Sequence, residues 1–398
     1  MTEQITTSDV PDEHLPEGAL DVEDGSEPTS AAVEPVVSEP SVAVASQRRL
    51  MWWRFRKHKL ALVAAVVVGL FYLVAVFADF LAYADPQASE AQRSLMPPQP
   101  IHWFDGGFNP YVYPVEGSRD PATFQRTYQT DTSEKIRVHF FARGYEYELF
   151  GLFKTDRHLL GVEGGDANAA LAVLGTDPLG RDVYSRLLVA TRTSLTIGLV
   201  GVTLSLVLGV TLGGISGYYG GIVDTGIQRI IEVLQSIPTI PLWMGLAAAV
   251  PRDWSVTRTY FLLTIILSFI GWTELARVAR GRFVQLRQEE FVVAAELAGC
   301  RPRRIIFVHM VPLFASHIIA AMTLALPAMI IAETALSFLG LGLRPPAISW
   351  GVMLQQAQNV ETVALSPWLM VPVVPVVVAI LAFNFLGDGL RDAADPYS

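Results

Sequence analysis

The sequence predicts an all-α polytopic membrane protein with six transmembrane helices, a short helix on the cytoplasmic surface and a small extracytoplasmic α/β insert. Three observations lead there. Of 398 residues, 51% are hydrophobic and only 17% charged, a balance unlike that of a soluble domain. The apolar residues are gathered in uncharged blocks long enough to cross a bilayer. The formal charge of -9 is unevenly spread: residues 1–47 hold 11 Asp and Glu and no Lys or Arg, leaving 27 acidic against 29 basic residues elsewhere.

Residues 1–47 have no helical or strand period and too much like charge to bury a core, so a disordered acidic cytoplasmic tail is expected. Residues 48–82 are a basic segment and the first span: Arg48, Arg49, Arg54, Arg56, Lys57 and Lys59 precede the uncharged run 60–78. The long region ahead of it argues against a signal peptide. Further spans are expected at residues 193–223, 233–250 (broken by Pro238 and Pro241), 259–273, 305–332 and 362–387. With six spans, the basic residues before the first one and the seven Arg from Arg277 to Arg304 share a side, which the positive-inside rule makes cytoplasmic. Both termini are then inside, residues 83–174 form an extracytoplasmic insert, and Arg252, Arg258 and Arg344 count against the rule without reversing it.

Within the insert, Ile136, Val138 and Phe140, then Tyr145, Tyr147 and Leu149, alternate around Arg143-Gly144 and predict a β-hairpin. His102, His139 and His158 lack ligand-like spacing, and no metal site is expected. Cys300 is the only cysteine, so no internal disulfide exists. No Gly-Lys pair and no His-Glu-x-x-His run occur, which removes a phosphate loop and a zinc-hydrolase motif. No catalytic residue and no cofactor are assigned to the chain.

The residues with most to say lie between 275 and 312. Good helix formers over 286–298 place Phe291, Ala294, Ala295 and Ala298 at three-to-four spacing. Gly299 supplies a left-handed stop, Pro302 suits a first helical position, and Arg301, Arg303 and Arg304 crowd the join. A second segment runs Gly175-Thr176-Asp177-Pro178-Leu179-Gly180-Arg181-Asp182-Val183-Tyr184-Ser185-Arg186. There Asp177 can cap a helix with Pro178 at its first position, while Asp177/Arg181 and Asp182/Arg186 have ion-pair spacing. Ser205, Gly209, Gly213 and Gly217 recur every four residues and give one helix a flat strip for close packing. Glu232 and Glu333 are the acids nearest membrane depth; their places near helix ends, and Arg229 beside Glu232, favour structural over transport roles.

These runs carry a resemblance. Val293-Ala294-Ala295, Gly299 and His309-Met310-Val311-Pro312 resemble the Glu-Ala-Ala loop of ABC importer permeases, with Val293 where that family has Glu. The Asp177 to Arg186 run resembles the segment before the second span in the dipeptide and oligopeptide (and nickel) permease family. So do Gly217-Tyr218-Tyr219-Gly220-Gly221, the run from Ala335 to Gly342 and the run from Ala382 to Asp392, so that the likeness covers about residues 174–396.

The resemblance implies a permease subunit of an ATP-driven importer in a prokaryotic inner membrane, passing peptides or similar small solutes inward by alternating access. It implies a coupling helix that docks in an ATPase cleft, carried by Glu290, Phe291, Val293, Ala294, Ala295, Gly299, Arg301, Arg303 and Pro312. It makes Asp177, Gly180, Arg181, Asp182 and Arg186 an external interfacial motif. The partners implied are a second homologous permease, two ATP-binding subunits carrying ATP and Mg, an extracytoplasmic solute-binding protein and membrane lipid, with no nucleic acid. The rival readings are an ion-coupled secondary carrier, which would want inverted repeats and midplane charges that are not evident, and a membrane-anchored receptor, which needs neither so many spans nor a docking loop.

Overall fold

A computed structural model describes residues 47–119, 121, 126–162, 171–251 and 253–394 of the protein. The acidic tail lies outside these residues except for Gln47, as does Arg252. Among the described residues the helices are α1 (Gln47–Lys57), α2 (Lys59–Val76), the turn α3 (Ala78–Leu81), α4 (Val183–Tyr219), α5 (Gly221–Ser236), α6 (Thr239–Ala248), α7 (Val256–Leu286), α8 (Glu290–Leu297), α9 (Pro302–Arg304), α10 (Ala315–Phe338), α11 (Trp350–Gln355), α12 (Val360–Leu365) and α13 (Val373–Ala394). Five stretches are long and apolar enough to cross a membrane, and α5 with α6, bent by 84° at their break, count as a sixth if taken as one span. The break falls at Pro238, which caps α6 with extended backbone: proline has no N–H to continue the ladder, and the residue before it is pushed out of the helical region.

The seam between α4 and α7 organises the bundle. Ser205 Oγ donates to the Ser268 carbonyl at 3.2 Å. A methyl group on Gly209 would meet the Trp272 carbonyl at 3.0 Å, one on Gly213 the Ala276 carbonyl at 2.3 Å, and one on Gly217 the Arg280 carbonyl at 2.7 Å. Partners advance by four on both helices and in the same direction, so α4 and α7 are parallel. The four-residue strip therefore exists to let two backbones touch, and the chain returns between them through the bent pair. With 37 and 31 residues, α4 and α7 measure about 55 and 45 Å at 1.5 Å per residue. Both exceed the roughly 30 Å hydrocarbon layer: the charged overhang of α7 is at its arginine-rich C-terminal end, and that of α4 at its N-terminal end, which carries Arg186 and Arg192.

The stretch from Pro302 to Phe338 is one rod with an irregular entry. Val311 N–H reaches back to the Ile306 carbonyl, closing a π-helical stretch over Ile305–Met310 before a 3-10 stretch Val311–Phe314. Pro312 is the cause: it offers no N–H, and the ladder widens just ahead of it.

Residues 102–162 supply strands β1 (His102–Phe104), β2 (Phe108–Val112), β3 (Val115–Arg119), β4 (Arg126–Thr130), β5 (Ile136–Phe140), β6 (Arg143–Leu149), β7 (Phe153–Arg157) and β8 (Leu160–Val162). They form a four-stranded sheet in the order β1-β2-β5-β8 and two hairpins, β3-β4 and β6-β7. Val112, Val138, Val162, Leu171 and Tyr83 make the core of this part. The two strands expected around Arg143-Gly144 exist, but they do not pair with each other. β5 pairs with β2 and β8, and β6 with β7. Alternation reports a strand and its two faces, not its neighbour, and Phe141, at a φ of +55°, swings the chain out of one sheet before β6 begins.

Candidate functional site

At the arginine-rich end, the turn from 287 to 289 separates α8 from α7. Gln288 and Glu289 donate to the Gln285 and Leu286 carbonyls at 3.1 Å, tight bonds that close the long helix. Glu289 is then extended. The helix expected over 286–298 is therefore Glu290–Leu297 alone, with Glu290 in its first turn where a carboxylate suits the dipole. Its far end follows expectation. Gly299 takes a φ of +75°, its N–H and that of Cys300 close on the Glu296 and Ala295 carbonyls at 2.9 and 3.0 Å, and Pro302 opens the next helix.

Val292 anchors α8. It is fully buried among Tyr218, Phe283, Ile305, Met310 and Phe314. Opposite it, Phe291, Val293, Ala294, Leu297 and Ala298 are exposed, Leu297 by 85%. Of the four residues expected to share a face, Phe291, Ala294 and Ala298 do. Ala295 instead turns half-buried onto the Val292 cluster. Glu290, Gly299, Arg301, Arg303 and Pro312 are exposed around the same end.

Polar bonds that the sequence reading missed fix this assembly. Tyr218 donates to Glu296 Oε1 at 2.9 Å, joining the end of α4 to α8. Arg280 on α7 holds Asp224 on α5 with two bonds of 2.5 Å, and Ser216 donates to the same carboxylate at 2.5 Å. The available signal was an acid and an arginine each placed just past an apolar run, but nothing in their spacing says that they meet.

At the opposite end the Asp177 to Arg186 run is a buried hub. Asp177 does not cap a helix. Its Oδ1 accepts from the Leu179 and Arg181 N–H groups at 2.8 and 3.0 Å, and its Oδ2 accepts from Arg181 Nε at 2.7 Å with Arg186 Nε at 3.7 Å. The turn passes through Gly180, at a φ of +74° and so close to the Glu90 carbonyl that no side chain fits. The cap of α4 is Asp182, which accepts from Ser185 N–H at 2.7 Å and from the Tyr83 hydroxyl at 2.6 Å. Arg186 therefore pairs with Asp177 rather than with Asp182, and donates to the Pro86 carbonyl at 3.1 Å. Asp177, Arg181, Asp182 and Arg186 are all buried, so the motif is an internal brace. Gln356 reaches Asp177 Oδ2 at 3.2 Å and Trp368 the Thr176 carbonyl at 2.9 Å. Burial holds the Asp182 carboxyl above the usual carboxylate range despite its hydrogen bonds. Burial, then the neighbouring Asp182 carboxylate, pushes the Tyr83 hydroxyl well above the usual phenol range.

Glu232 pairs with Arg229 at 2.9 Å on an exposed surface, as its spacing predicts. Glu333 is buried and is held by Ser194 at 3.1 Å and Ser337 at 2.9 Å, so it serves the packed bundle rather than a helix-end surface. Among the described residues no group of His, Cys, Asp and Glu could hold a metal ion.

Residues 209–397 match the family described as binding-protein-dependent transport system inner membrane component, and residues 46–98 match the N-terminal TM domain of oligopeptide transport permease C. The dipeptide transport system permease protein DppC of Bacillus subtilis is 38% identical over 224 residues, which cover 56% of this chain and 68% of that protein. The DppC of Lactococcus lactis is 30% identical over 354 residues, 87% of this chain and 89% of the relative. The chain belongs to the binding-protein-dependent permease family. The oligopeptide transport system permease protein OppC of Bacillus subtilis is 29% identical over 357 residues, 88% of this chain and 92% of the relative. The permease is thus a multi-pass inner-membrane subunit of an ABC importer, working with a separate ATPase and a solute-binding protein rather than hydrolysing ATP itself.

Proposed function

We propose that this permease carries peptides or similar small solutes inward by alternating access, with α8 as the coupling helix. The observation that carries the reading is the form of α8: one fully buried residue, Val292, and one bond from Tyr218 fix it to the bundle, while Phe291, Val293, Ala294, Leu297 and Ala298 present an apolar face. Exposed apolar side chains on a helix too short to span a bilayer call for a protein partner. Two ATP-binding subunits, carrying ATP and Mg, would take that face and that of a second, homologous permease; closing on ATP, they would draw the two coupling helices together. The exposed Arg301 and Arg303 beside Gly299 suit an acidic rim on the cleft. The oligopeptide and dipeptide names of the relatives support a peptide substrate.

The parallel seam between α4 and α7 favours six spans, since the bent pair between them has to recross. With an even number of spans and the basic segments inside, both termini would be cytoplasmic and residues 83–174 would stand outside, where the exposed Trp103, Phe104, Phe108 and Phe140 support a platform for the solute-binding protein. The buried Asp177 hub would serve as the rigid base of that platform.

Leu297→Asp in the complete reconstituted transporter tests the reading. It should abolish ATPase retention and solute uptake while insertion and thermal stability stay unchanged. Undiminished uptake would refute the assignment of α8.

A further inference from the structure

The geometry points to a second membrane contact, outside the spans: the tip of the β6-β7 hairpin is seated in the lipid layer beside the end of α2. In β6-β7 the apolar pair Leu149 and Phe153 stands next to the tip, and the charged pair Glu148 and Lys154 stands one register step behind it. The tip is Phe150-Gly151-Leu152, where Phe150, Leu152 and Phe153 are 55%, 77% and 65% exposed. Phe150 takes a φ of +56°, a conformation unfavourable for a bulky side chain. A soluble turn would place a small polar residue there.

What covers this tip is indicated by its neighbour. Phe150 and Phe77 lie with ring centroids 5.8 Å apart, edge to face. Phe77, the residue that caps the end of α2, continues an outward stripe of that helix formed by Val66, Leu70 and Leu73, all exposed, with spacings of four, three and four residues. Since α2 is a membrane-spanning candidate of mean hydropathy 2.5, lipid is the occupant that this exposed apolar stripe suits. Phe77 is 18 residues beyond Lys59, about 27 Å along the axis at 1.5 Å per residue, and so lies at the edge of a roughly 30 Å hydrocarbon layer. The tip thus continues a lipid-facing surface at the depth where aromatic side chains gather.

The root of the hairpin is clamped at the same level. His158 sits between the Asp79 and Tyr145 carbonyls at 3.0 and 2.9 Å, and Leu159 N–H donates to the Phe80 carbonyl at 2.8 Å. Asp79 is itself paired with Arg192. The tip therefore cannot swing away toward a soluble protein without undoing the α3-α4 junction.

The test uses the complete transporter, with Cys300→Ser, in vesicles of phosphatidylethanolamine and phosphatidylglycerol. Leu152→Cys, at a side chain too exposed to matter to the fold, carries an environment-sensitive fluorophore; Glu134→Cys, on the exposed approach to β5, is the control. Nitroxide placed near the headgroup end of the acyl chain should quench the label at 152 at least about three-fold more than the label at 134, with the opposite order for aqueous iodide. Equal iodide quenching at both positions would overturn the proposal. So would shielding of position 152 from both quenchers, which would mean that a protein covers the tip.

Discussion

Tyr218, one residue before the end of α4, donates to Glu296 on α8 at 2.9 Å, so the longest helix of the bundle is wired directly to its shortest exposed lever. In the proposed coupling role of α8, a push on it would pass through this bond and through Val292 into α4, and along the α4-α7 seam to the opposite end.

Tyr218→Phe should therefore leave the permease assembled but poorly coupled. The lost bond to a carboxylate is worth about 1 kcal/mol at a partly exposed site, too little to unfold the bundle. The measurement is solute moved per ATP hydrolysed in proteoliposomes, which should drop while hydrolysis persists; an unchanged ratio would show that Val292 alone transmits the motion.

The seam itself tolerates no added bulk. Gly213→Val would drive a side chain into the Ala276 carbonyl, which a methyl already meets at 2.3 Å, and overpacking of this kind costs about 1–3 kcal/mol. A fall in unfolding temperature in detergent is expected, together with loss of uptake. A fully active, equally stable variant would mean that the helices are less closely apposed than described.

Gly180→Ala addresses the brace at the other end. It combines a left-handed φ of +74° with a clash against the Glu90 carbonyl, and the conformational penalty alone is about 1–2 kcal/mol. Reduced thermal stability of the assembled protein should follow, and faster proteolysis between residues 85 and 96 should accompany it.

Tyr83 gives a pH signature. Its hydroxyl is held well above the ordinary phenol range by burial and by Asp182, so the native state keeps a proton that the unfolded chain releases above about pH 10. The contribution of this group is complete below that pH and is lost as pH rises through the native value. Tyr83→Phe removes the donor to Asp182 and the acceptor for Val173 N–H, at a cost of about 2 kcal/mol for a buried group left unpaired. The stability gap between variant and wild type should be constant through neutral pH and shrink above about pH 10. A gap that does not vary in strong alkali would contradict the burial of this pair.

Much of this architecture was legible in the residues, and the exceptions share a cause. Uncharged runs mark the spans because a bilayer admits little else. Gly299 and Pro302 mark the end of α8 because their backbones allow few other conformations, and the four-residue strip predicts a contact that Gly213 makes. Local rules failed where a distant partner decided the outcome. Asp177 looks like a helix cap until Arg181, Arg186 and Gln356 converge on it, which hands the cap to Asp182. Ala295 looks like part of the exposed face until Ile305 and Met310 fill the space beneath α8. Strand β6 looks like the mate of β5 until residues 153–157 offer it a partner across the Phe150-Gly151 turn.

The brace around Asp177 also bears on how the chain is made. It draws on the backbone near Arg93, on Arg186 and on side chains as late as Trp368, so its last contacts form only after the chain has been made past that residue. Nascent forms between about Arg186 and Gln356 carry Asp177 and two arginines without their final surroundings. A polypeptide arrested before Gln356 would therefore hold Asp177 and its arginines with neither late contact formed, and its outer end would be the loosest part of the incomplete chain.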